Sequence, residues 1–171
     1  MKKKILILLI ALSMAIAITS CGGSDDYTEV DYMRISFQVS DKFIVDEDIS
    51  EHGLVIMLAD GSPGSSILVN WTGDIFFGDD QEAFLSSFML SRIGLLPEEN
   101  REWLEMPGEP LGGNRFRKLE YWKYVGGTRM NHQSYFLFRD GDGVYEFTLM
   151  QIEGGDTDIT NDFLNLLRSV D

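Results

Sequence analysis

Two long segments dense in aromatic and β-branched residues, Arg115 to Val125 and Thr128 to Arg139, meet at Gly126-Gly127. This junction constrains the fold more than any other feature of the chain. Paired glycines take the positive φ that a tight hairpin turn demands, so the two segments are expected to fold back on each other as one long antiparallel hairpin. Asp140-Gly141-Asp142-Gly143 supplies a second turn, and Val144 to Ile152 then places Tyr145, Phe147 and Leu149 on one face of a further strand. An antiparallel meander is the predicted result at this end of the chain.

Other segments extend the sheet and supply its cover. Met33, Ile35, Phe37 and Val39 alternate with Arg34, Ser36 and Gln38, the period of a half-buried strand. Leu54 to Ala59 and Ile67 to Trp71 flank Asp60-Gly61-Ser62-Pro63-Gly64 and are expected to form a hairpin. Phe84, Leu85, Phe88, Met89 and Ile93 recur at helical spacing after Asp79 and Asp80, which predicts a helix over residues 80 to 93. Pro97 to Gly113 reads as an irregular connection, with a short strand around Trp103 to Met106. Ile159, Phe163, Leu166, Leu167 and Val170 mark a closing amphipathic helix begun by Asp158 or Thr160. Strands in runs, with helices inserted between and after them, predict an α+β fold in which helices pack on an antiparallel sheet. A lipocalin-like β-barrel is the alternative, and it would leave the helices less central.

The opening residues predict an address. Lys2-Lys3-Lys4 precede an uncharged apolar run from Ile5 to Ile18, then Thr19 and Ser20, the layout of an export signal. That run rises only ~21 Å as a helix, short of the ~30 Å hydrocarbon core of a bilayer, so removal is expected rather than a permanent span. Ile18-Thr19-Ser20-Cys21 resembles the lipobox of bacterial lipoproteins. Cys21 is the only cysteine, which excludes an internal disulfide and any thiolate metal cluster, and lipidation gives it a purpose. Two acyl chains, at ~0.8 kcal/mol per buried methylene, anchor stably where one is marginal.

The expected organisation is therefore a signal peptide over 1–20, a polar tether over 21–31 beginning at lipidated Cys21, and one domain over 32–171. The expected location is the extracytoplasmic face of the cell membrane. The leader takes three of the 14 basic residues and none of the 28 acidic ones, leaving 11 against 28 and a formal net charge of −17. Such a surface repels nucleic acid and keeps an exported domain soluble, and it favours neutral, cationic or protein partners.

With its elements in this order, the domain resembles the PsbP-like family, whose fold is shared by a photosystem II extrinsic protein, a Ran-binding import factor and bacterial lipoproteins. Ile35-Ser36-Phe37-Gln38-Val39 followed by Phe43 is similar to the family's opening strand, although Ser40 and Lys42 replace its usual proline and glycine. Asp140-Gly141 leading into Tyr145-Glu146-Phe147-Thr148-Leu149, then Phe163, Leu166, Leu167 and Ser169, is similar to its closing strand and helix. The resemblance implies an α/β/α sandwich and a binding or assembly role rather than catalysis. It assigns no functional residue.

Chemistry-bearing patterns are sparse. His52 and His132 are the only histidines, and a metal or acid/base site needs them to converge with carboxylates such as Glu51, Asp60 or Glu146. Their spacing does not require it, so two unrelated polar side chains are expected. Asp140, Asp142 and Glu146 alternate as calcium ligands do, but glycines at the second and fourth positions favour a plain turn. Gly61-Ser62-Pro63-Gly64-Ser65-Ser66 is not a nucleophile elbow, and no phosphate-binding glycine loop is present. No catalytic residue, metal or cofactor is implied. Tyr121, Trp122, Tyr124, Tyr135, Phe136 and Phe138 crowd both faces of the long hairpin. Helices covering both faces would account for them; a groove or partner surface is the functional alternative. A small-ligand carrier would need an enclosed pocket beneath Trp122 and Tyr135, and a hydrolase would need the histidines and buried carboxylates in one cleft.

Overall fold

The computed structural model describes residues 26–50, 53–62, 64–73, 81–94, 103–139 and 141–171. Cys21, Glu51, His52 and Asp140 lie outside them. Gly126 and Gly127 take φ of 58° and 85°, the positive values a two-residue hairpin turn requires. From that turn β7 (Asn114–Val125) and β8 (Thr128–Arg139) pair in the register Val125↔Thr128 to Arg117↔Phe136. β9 (Gly143–Ile152) continues the meander on β8. β4 (Gly53–Leu58) and β5 (Ser65–Thr72) form the second hairpin, and β5 joins β9 antiparallel, merging both halves into one sheet.

Two strands complete that sheet where the sequence reading had none or too little. β3 (Phe43–Ser50) pairs with β4; its acidic second half hides it from a hydrophobic-pattern search. β6 (Trp103–Leu111) pairs with β7 and runs through Pro107 and Pro110, with a bulge between Met106 and Glu109. Prolines lack the ladder N–H, and an edge strand with a bulge is where a sheet tolerates them. The strand order is β3-β4-β5-β9-β8-β7-β6. Among the described strands β3 and β6 stand at the two ends of this order and do not pair with each other, so the sheet does not close, and the barrel alternative is overturned.

A separate hairpin of β1 (Tyr27–Tyr32) and β2 (Ile35–Ser40) lies over one sheet face. Its first strand starts at Tyr27, within residues expected to be tether, because Val30 and Tyr32 are buried at period two. Met33, expected in a strand, is instead a turn residue with φ 57° and is half exposed. The predicted inward phase of Ile35, Phe37 and Val39 holds.

Helix α1 (Gln81–Gly94) falls within one residue of expectation at each end. Helix α2 (Thr160–Arg168) begins where Asp158 Oδ1 accepts the Thr160 N–H at 2.9 Å. The formal cap residue, Ile159, has no side-chain acceptor, and Asp158 supplies it from one position earlier. The apolar stripe of α2 buries Phe163, Leu166 and Leu167 against the β1–β2 hairpin and the main sheet. There Phe147 meets Phe37 and Phe116 edge-on at 5.9 and 6.0 Å, and Tyr135 meets Phe163 at 5.5 Å. Gly112, at φ 57°, turns β6 into β7 directly beneath the Arg168 carbonyl, where any Cβ would collide with backbone. Residues after α2 strap onto β2: the Asp171 N–H donates to the Ser36 carbonyl at 3.0 Å, and the Ser36 N–H donates back at 3.4 Å.

Candidate functional site

The other sheet face carries the polar residues. Cross-strand register aligns Ile44, Met57, Ser66, Met150, His132 and Tyr121 in one row. The next row holds Val55, Leu68, Thr148, Ser134 and Leu119, and a third holds Asn70, Glu146 and Phe136. Helix α1 covers one end of this face. Phe88 stands edge-on to Phe136 and Phe138 at 6.0 and 6.4 Å, and Met89 is buried with Leu119, Phe136 and Val144. From the last turn of α1, Arg92 Nη2 reaches Glu146 Oε2 at 2.8 Å.

Glu146 is 6% exposed. Loss of hydration raises its carboxyl pKa, and the Arg92 charge with hydrogen bonds from Ser134 and Thr148 pulls the other way. Ser134 and Thr148 hydroxyls lie 2.7 Å apart, and Ser134 Oγ also donates to Glu146 Oε1 at 3.4 Å. Burial, reinforced by the Glu146 charge, pushes the Tyr121 hydroxyl up to about 12. His132 stacks on the Tyr121 ring at 4.8 Å with an interplanar angle of 18°. Burial first, then the Lys123 charge, pushes its imidazole down to about 4, so it is neutral at pH 7. Its Nε2 is buried without a hydrogen-bond partner. Ser134 is thus engaged by Thr148 and Glu146 rather than by a basic imidazole. The arrangement is a mutually bonded polar layer beneath a helix, not a nucleophile held by a base.

The sequence candidates divide among separate places. Glu146 belongs to this layer. Asp142 instead staples its turn: its carboxylate accepts from Tyr145 Oη at 2.8 Å and Arg34 Nη1 at 3.1 Å, and its carbonyl accepts from Trp71 Nε1 at 3.2 Å. Asp60 Oδ1 accepts the Ser62 N–H at 2.8 Å within its own turn. Among the described residues no group of three or more His, Cys, Asp or Glu side chains is placed to hold a metal ion. Tyr135 and Phe136 are buried on opposite faces, so helices account for much of the aromatic crowding. The volume beside Tyr135 is filled by Phe116 and Phe163. At the hairpin tip Tyr124 is 53% exposed, and the Arg129 guanidinium lies over Trp122 at 5.3 Å.

Two open grooves flank β3, one on each sheet face. One, about 480 Å³, runs along β1 and is floored by Val30, Val39, Phe43 and Val45. The other, about 340 Å³, lies on the opposite sheet face between Ile44, Met57 and Met130. Both are concave enough to receive part of another molecule. Sequence reasoning missed the first because β3, which forms one wall, carried no strand signal.

An open antiparallel sheet, covered on one face by a closing helix and an N-terminal hairpin and on the other by an inserted helix, defines the PsbP-like α+β fold. Solved structures bear this out. The chain matches the Saccharomyces cerevisiae Ran-binding protein Mog1p with a TM-score of 0.52 at 12% identity, over 86% of this chain and 96% of that one. It matches LpqN, involved in cell envelope biogenesis of Mycobacterium tuberculosis, with a TM-score of 0.51 at 17% identity, over 85% and 89%. A structure from Bacteroides thetaiotaomicron VPI-5482 matches at 0.55 and 11% identity, over 80% of this chain; the chain spans only 44% of that longer protein. At the level of sequence, neither a protein-family model nor a curated protein matches the chain.

Proposed function

We propose that this chain is a lipid-anchored bacterial lipoprotein whose domain acts as a binding or assembly module on the extracytoplasmic face of the cell membrane. The observation that carries this reading is the run Ile18-Thr19-Ser20-Cys21 at the end of a basic-then-apolar leader, with no other cysteine in the chain. The fold supports the binding role: Mog1p is a Ran-binding protein, and LpqN takes part in cell envelope biogenesis. The acidic surface favours a protein partner and disfavours nucleic acid. A polar layer whose hydroxyls, carboxylate and guanidinium are bonded to one another suits a scaffold better than a turnover site.

The test is Cys21→Ala. The wild-type protein is expected in the membrane fraction, with mass spectrometry showing an acylated N-terminal cysteine. The variant is expected to leave the membrane or to accumulate with its leader uncleaved. Normal processing with unchanged membrane retention would overturn the anchor.

A further inference from the structure

We propose that the free edge of β1 receives an extended, cationic segment of a partner protein as an added strand. The inference rests on the reading of this domain as a binding module and names the kind of partner it takes; it does not depend on the lipid.

The backbone carries the first part of the argument. Met33 and Arg34 form a two-residue turn, so Tyr32↔Ile35 is a hydrogen-bonded pair, and every second pair after it, Val30↔Phe37 and Thr28↔Val39, is one too. Glu29 and Asp31 therefore turn their N–H and C=O groups away from β2. The same rule turns Ser36 and Gln38 outward from β2, and their bonds confirm the phase. Ser36 pairs with the Asp171 backbone, and the Gln38 N–H donates to Ser169 Oγ at 2.8 Å. The outer edge of β2 is thus closed by the end of the chain. On β1, among the described residues, the outward groups of Glu29 and Asp31 make no hydrogen bond. An open row of backbone donors and acceptors is the template that strand addition uses.

The groove along that row gives the added strand its side-chain preferences. Four consecutive β1 residues, Thr28 to Asp31, line the groove, so it follows the strand edge rather than one face. Its floor is Val30, Val39, Phe43 and Val45, and its far wall is β3, the edge strand of the main sheet. An added strand would turn alternate side chains onto this apolar floor. The intervening ones would stand beside Glu29 and Asp31, both exposed, where cross-strand pairing favours lysine or arginine. A segment alternating small apolar and basic residues fits both demands. Nucleic acid and acidic peptides fit neither.

The probe is a blocked hexapeptide, Lys-Val-Lys-Val-Lys-Val, added to the purified full chain and followed by hydrogen exchange. Its counterpart is the same peptide N-methylated wherever an N–H would face β1. The unmodified peptide is expected to slow exchange in residues 27–32, and the N-methylated peptide to leave it unchanged. Glu29→Lys with Asp31→Lys is expected to weaken peptide binding about tenfold while the melting temperature holds within a few degrees. Equal binding of both peptides, or protection elsewhere in the chain, would show charge attraction alone and overturn the proposal. Protection of 27–32 that grows with protein concentration and without peptide would make a second copy the occupant, which also overturns it. Failure of the peptide on a protein that carries its acyl chains would remove this inference and leave the anchored-module reading standing.

Discussion

On one face of the sheet the rings of Phe37, Phe147, Phe116, Tyr135 and Phe163 pack edge to face, each on the next, joined by aliphatic residues from almost every element. On the other face, beneath α1, only Met89, Leu119, Phe136 and Val144 form the buried apolar cluster among the described residues, and Ser134, Thr148, Glu146 and His132 are buried beside them. The first face excludes water without needing directional bonds. The second leans on directional bonds for the polar groups it hides, and leaves His132 Nε2 and Arg92 Nε unpaired; an unpaired buried donor or acceptor costs about 1–3 kcal/mol. A helix docked on such a layer is held by geometry as much as by area. The buried Glu146 and His132 of this layer make it the seam on which pH is expected to act.

That asymmetry can be broken from either side. The largest effect is expected from Phe147→Ala, which removes a fully buried ring touching two others and should cost about 3–5 kcal/mol in denaturant unfolding. A loss below about 1 kcal/mol would show the first face to be less tightly packed than its ring geometry indicates.

Arg92→Met attacks the second face by leaving Glu146 buried without its counter-charge. The expected cost is about 3 kcal/mol at pH 8, the low end for a broken buried pair because the Arg92 side chain is one-third exposed. The folded-state pKa of Glu146 is raised, so the native state holds that proton more tightly than the unfolded chain does. The stabilisation from protonation is present at acid pH and lost as pH rises through the folded value. The Arg92→Met penalty should therefore shrink toward pH 4.5. A penalty that does not change with pH would mean Glu146 does not titrate where its burial places it.

His132→Gln should show a smaller effect of opposite sign. The imidazole pKa is lowered to about 4 in the fold, so the unfolded chain binds the proton first as pH falls below about 6.5. Wild-type stability should drop by about 2 kcal/mol between pH 7 and pH 5, and the variant should lose less across that window. Parallel stability–pH curves for the two proteins would place the acid sensitivity elsewhere.

The strongly apolar face was legible in the sequence. Tyr145, Phe147 and Leu149 alternate cleanly, Gly126-Gly127 marks the turn, and the stripe from Ile159 to Val170 has helical spacing. The candidate region was much less so. Ser134, Glu146 and Thr148 occupy the alternate positions of their strands, which read as solvent-facing when taken one strand at a time. The apolar stripe of α1, which needs a surface to cover, and the aromatic residues on both faces of the long hairpin are the hints that this face is closed as well. The groove beside β1 was hidden for a different reason. One wall comes from Tyr27–Tyr32, whose exposed acidic and polar residues resemble a tether, and the other from Phe43–Ser50, whose acidic half masks its pairing.

The bond from the Asp41 N–H to the Asp26 carbonyl, at 2.8 Å, pins the chain just before β1. If Cys21 is acylated as proposed, the five peptide links from Cys21 to Asp26 can span at most ~18 Å. On the lipid-anchored reading, a reach that short would hold the start of β1 close to the lipid surface, and a partner would be met sideways, by diffusion in two dimensions, rather than from the bulk.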